Sequence, residues 1–148
     1  MTANDPIAGA ARRRSALEQS MQQVEHAAAA ASGNSGWNDD LTGSVRQLEV
    51  ALNHHIVEVE SPSGLLEQIV ETAPRLQRLV EDTERHHVTL TEMVTTLLNM
   101  IAAARETNTP PVSTIRAAIV ELLNELTRHR QDGADLVYEA YDVDIGGY

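Results

Sequence analysis

The chain has no cysteine, no phenylalanine and no lysine, and in 148 residues it has one tryptophan and three tyrosines. Without cysteine there is no disulfide framework, no thiolate metal ligand and no thiol chemistry. Without phenylalanine, packing falls to Leu, Val, Ile, Met and Ala. Positive charge is also scarce: 11 arginines face 22 acidic residues, a net charge of −11. That balance opposes binding to nucleic acid or to an anionic membrane. The one basic run, Arg12-Arg13-Arg14, is short. No stretch has the uninterrupted apolar length of a membrane span, and the N-terminus lacks the apolar core of a secretory signal, so a soluble cytoplasmic protein is expected. There is no Gly-rich phosphate loop, no activated-nucleophile motif and no His-Glu-x-x-His. A binding or sensing protein is therefore expected ahead of an enzyme.

What the chain does have is helical periodicity from end to end, with no repeat and no strand-like alternation. The expected fold is all-α, a single domain over 1–148: an antiparallel up-down four-helix bundle. The first helix is predicted over 5–31, with Leu17, Met21, Val24 and Ala28 on one face and Ser32 to Gly36 as its terminating turn. Asn38 to Asp40 supply cap and first-turn residues for the second. Its stripe is Leu41, Val45, Leu48, Leu52, His55 and Val59. Ser61-Pro62-Ser63-Gly64 is read as a kink within this arm rather than a hairpin turn. Pro74 suits the opening of the third helix, with the stripe Leu76, Val80, Thr83, His87, Leu90, Val94, Leu97, Ile101 and Ala104. After Thr107 to Pro111 the fourth stripe is Val112, Ile115, Ile119, Leu122, Leu126, His129, Gly133, Leu136 and Ala140. A tail over 142–148 follows. The regular third stripe suits a homodimer as well as an intramolecular core.

Each of three stripes carries one histidine. Residue 71, midway between His55 and His87, lies beside the break at Thr72-Ala73-Pro74. Residue 108, midway between His87 and His129, lies inside the break at Asn108 to Pro111. Helices folded back at those points bring the three imidazoles to one level, because rise per residue is constant. Each also has a carboxylate three residues away on an adjoining face: Glu58, Glu84 and Asp132. His55, His87, His129, Glu58, Glu84 and Asp132 are thus the candidate metal ligands. Neutral imidazole suits zinc, iron and copper, and with carboxylate and no thiolate the set fits non-haem iron or zinc. The competing reading keeps the same histidines as buried structural groups in a metal-free helical adaptor, whose acidic surface engages a partner protein. His54 and His86 point about 100° off the stripe and are expected to flank it or face solvent. Tyr138 and Tyr141 are expected to pack the bundle end.

The stretch Leu52 to Glu58, Pro74 opening a helix, His86-His87-Val88-Thr89-Leu90, and Leu126-Thr127-Arg128-His129 together resemble the hemerythrin-like, HHE cation-binding family. The resemblance covers helices two to four. It implies a four-helix bundle with a non-haem iron centre, mono- or dinuclear, serving oxygen carriage, sensing, iron handling, or peroxide and nitric oxide chemistry. The family's His-x-x-x-Glu fits His54 to Glu58 in the second helix, whereas the stripe selects His55. Two departures stand out. The first helix offers Arg14 where the family has a histidine, and Gly133 stands where the acid of the last helix belongs, leaving Asp132 as its substitute.

Overall fold

The computed structural model describes residues 6–33 and 36–142, with backbone alone at 6–11 and 13–15. Four long helices carry the chain: α1 (Pro6–Ala29), α2 (Trp37–Glu60), α4 (Gln77–Ala104) and α5 (Val112–Tyr141). The short α3 (Leu65–Thr72) and a 3-10 turn at Pro74–Leu76 join α2 to α4. No strand occurs among the described residues. α1 packs on α2 and α5, and α4 packs on α2 and α5, so the long helices close a ring around one seam.

The periodicity that predicted the helices also marks what they bury. The stripes of the first two helices are buried throughout, and so is the third except at half-buried Thr83. The fourth is half-buried only at its ends, Val112 and Ala140. Two apolar clusters result. The larger runs from Leu17, Trp37 and Ile101 to Leu52, Leu90 and Leu126. The smaller gathers Val59, Leu65, Leu66, Ile69, Leu76, Val80, Leu136 and Val137. With each buried leucine or isoleucine contributing about 1.5–3 kcal/mol, these clusters drive assembly.

The break after α2 has a local cause. Pro62 cannot donate to a continuing helix, and Ser63 takes a left-handed φ of 63°. Gly64 then turns back so tightly that a Cβ there would lie 2.7 Å from the Ser61 carbonyl oxygen and 2.8 Å from that of Glu58. Only glycine fits that approach. Glu67 accepts from the Ser63 N–H at 3.0 Å and Gln68 donates to the Ser63 carbonyl at 3.0 Å, which secures the start of α3. Pro74 opens the 3-10 turn rather than an α-helix, and α4 begins three residues later than the sequence suggests. At the opposite end, Asn38 donates to the Ile101 carbonyl at 3.3 Å, and Arg105 bonds Asn38 and Asp39. Arg116 caps the end of α1 through the carbonyls of Ala28 and Ala30, with its guanidinium over the Trp37 ring. Tyr138 does not pack the bundle end: it lies two residues from buried Leu136, about 200° around the helix, and is exposed. Tyr141 does pack against the smaller cluster.

Candidate metal centre

Between the two apolar clusters lies one polar layer. Among the described residues it consists of His55 from α2, His87 from α4 and His129 from α5, each no more than 1% exposed. Leu52, Leu90 and Leu126 precede or follow them on the larger cluster's side, and Val59, Val80 and Leu136 on the smaller one's. The helical stripe therefore does two things at once. It delivers one imidazole from each of three helices, and it seals them from water on both sides.

The rings meet edge to face. Centroids are 5.3 Å apart for His55 and His87, 5.3 Å for His55 and His129, and 4.8 Å for His87 and His129. The Nε2 atoms of His55 and His129 are 3.2 Å apart, hydrogen-bonding distance. One ring nitrogen from each of the three lies within 4.8 Å of the others, so the trio can hold a metal ion. Two nitrogens bound at 2.0–2.1 Å to one tetrahedral ion would be about 3.3–3.4 Å apart. His55 and His129, at 3.2 Å, are within about 0.2 Å of that spacing.

Electrostatics keep the rings in the form a metal needs. Burial, followed by repulsion from His87, pushes the pKa of His55 down to about 3. Burial, followed by His87, His55 and His86, pushes that of His129 down to about 2. His87 is also lowered, chiefly by burial, although its bond to Glu60 and the charge of that carboxylate pull the other way. All three are neutral at pH 7, with a lone pair on each ring. Glu60 reaches the Nδ1 of His87 at 2.5 Å. A carboxylate accepts, so Nδ1 carries the proton and Nε2 carries the lone pair. That Nε2 is buried without a hydrogen-bond partner among the described residues. Leaving such an atom unsatisfied costs about 1–3 kcal/mol, which a bound cation would remove. A histidine ligand steadied through its other nitrogen by a carboxylate is the usual support for a protein metal site.

The carboxylates singled out from sequence stand outside the trio. Glu58 is half-buried on α2, while Glu84 and Asp132 are exposed. On that side of each histidine the stripe runs through the residue four away, Val59, Thr83 or Gly133, and the carboxylate next to it is turned about 100° off the seam. Glu84 is held above the usual carboxylate range by partial burial and by the charges of Glu60 and Glu81. The side chain of Arg14 and the tail over 143–148 lie outside the described residues. His54 is exposed as expected. His86 is half-buried, its ring 5.2 Å from that of His129 and its Nε2 3.1 Å from the Glu125 carboxylate. Glu60 and Glu125 were both missed from sequence, because their histidine partners lie on other helices. Compared with known protein families, curated proteins and solved structures, the chain matches none of them.

Proposed function

We propose that this protein binds one divalent first-row metal ion between His55, His87 and His129, with non-haem iron as the first candidate and zinc as the second. The observation that carries the reading is the layer itself: three neutral imidazoles from three helices, flanked by apolar clusters on both sides, two of them close to the spacing of ligands on one ion. Imidazole suits both metals, and the thiolate-free surroundings favour neither copper(I) nor an iron–sulfur cluster. Three grouped ligands support a mononuclear site with open positions, where dioxygen, peroxide or nitric oxide can bind. The proposed roles are binding or sensing such molecules, or handling iron, as a divergent hemerythrin-like protein.

The scaffold is inferred to be an antiparallel up-down bundle with its second arm kinked near Pro62. Cross-helix pairs support it: Asn38 near the start of α2 meets Ile101 near the end of α4, whereas Glu60 at the end of α2 meets His87 in its middle.

Elemental analysis of protein expressed in iron-replete medium tests the centre. One ion per chain is expected, and none in His87→Ala; wild-type protein devoid of any metal ends the reading. Glu60→Gln should retain the site but weaken it about 10–100-fold, because the amide cannot hold the His87 proton as a carboxylate does. Competition against a chromophoric chelator measures this. The metal-free adaptor draws support from one feature, the His55–His129 hydrogen bond, which satisfies two ring nitrogens without an ion. It requires metal affinity too weak for that competition to detect.

A further inference from the structure

Among the described residues, the polar layer can be approached from outside. A cleft of about 420 Å³ opens between α4 and α5, and both His86 and His129 line it. Asp82, Asp132, Asp135 and Glu139 stand along its walls. Arg85 pairs with Asp82 and Arg75 with Glu139, so four carboxylates face two guanidiniums and the cleft keeps a negative balance. A cation is drawn into such a cleft, and an anion is turned away.

Building on the metal centre proposed above, we infer that His86 is its entrance ligand: the group that takes a hydrated divalent cation from the cleft and passes it to His129. Three features place it there. It is 20% exposed, whereas the rings of the trio are no more than 1% exposed. Its ring touches that of His129, with centroids 5.2 Å apart. Its Nε2 faces the Glu125 carboxylate at 3.1 Å, and since that group accepts, the neutral form of the ring has its proton on Nε2 and its lone pair on Nδ1. Glu125 is itself anchored by Arg128 at 3.3 Å. The imidazole is thus fixed in a metal-binding tautomer at the boundary between the wet cleft and the dry layer. Transfer is ligand exchange alone. Water leaves the ion as His86 binds, His86 leaves as the ring nitrogens of the trio close on it, and no electron moves.

Stopped-flow uptake of Co²⁺ by metal-stripped protein, followed by the visible bands of the bound ion, tests this. His86→Ala should slow both uptake and release to chelator about tenfold or more, with one ion still bound at saturation. Wild-type rates in that variant overturn the role, and so does a change in only one of the two rates. Asp132→Asn with Asp135→Asn should slow uptake several-fold at low ionic strength, and the difference should vanish in high salt. Uptake by that double variant at the wild-type rate overturns the route even if His86→Ala does not fold. A wild-type protein that takes up no Co²⁺ strikes instead at the centre itself.

Discussion

Saturating the metal-stripped protein with Fe²⁺ or Zn²⁺ should raise its melting temperature by about 10 °C, and His129→Ala should abolish the rise. An ion that binds the folded chain alone stabilises it by about 4 kcal/mol at a thousandfold excess over the dissociation constant. For a chain of this size each kcal/mol moves the midpoint by about 2–4 °C. His129 is the variant of choice because its Nε2 stands 3.2 Å from that of His55 and its ring contacts both other members of the layer. The variant loses a ligand, leaves a small cavity and deprives His55 of a partner, so its own melting point should also fall. The informative quantity is the difference with and without metal. His26→Ala, at an exposed position on α1, should keep the full rise. A wild-type midpoint that neither ion moves and no chelator lowers would favour the metal-free adaptor.

The helices and the histidine layer were legible in the sequence for one reason. Both follow from period and length alone. A stripe every three or four residues assigns Leu41 to Val59 or Val80 to Ala104 to one face, and equal distances from two breaks align His55, His87 and His129. The supporting carboxylates were not legible by the same rule. Glu58, Glu84 and Asp132 were singled out as neighbours along a helix, yet the partner of His87 is Glu60, on a different one. Side chains lean toward the N-terminus of their own helix. On the oppositely running pair inferred here, Glu60 and His87 therefore lean toward each other and meet, although their positions differ by five residues in register. Glu125 and His86 form the same kind of cross-helix pair. The narrow turn at Gly64 shows a further limit. Ser61-Pro62-Ser63-Gly64 announces a break, but the need for glycine comes from the close approach of the Ser61 and Glu58 carbonyls. Only the path of the folded chain sets that distance.

Kept free of metal by a chelator, the protein should hold its stability above pH 7 and lose it steeply below pH 6.5, unfolding near pH 5. The sign follows from the buried rings. In the unfolded chain a histidine takes up a proton below about pH 6.5, whereas in the fold His55 resists until about pH 3 and His129 until about pH 2. His87 is lowered in the same direction, with Glu60 offsetting part of the effect. Protons therefore bind preferentially to the unfolded state, and stability falls as pH falls through the unfolded value. Each histidine costs about 2 kcal/mol by pH 5, so two or three of them remove about 4–6 kcal/mol, comparable with the whole stability of many domains. Loss of carboxylate charge lowers the net repulsion of so acidic a chain and works in the opposite direction. A steep loss is therefore diagnostic of the histidine layer. Circular dichroism against pH, at fixed low denaturant, measures it, and His55→Leu should flatten the slope by about one proton. Bound metal should move the transition to lower pH, because an ion occupying the ring lone pairs excludes the proton from them. Unchanged stability from pH 7 to 5, or ring signals of His55 and His129 titrating near pH 6.5 in the native NMR spectrum, would show that the layer is open to water and unfit to hold an ion.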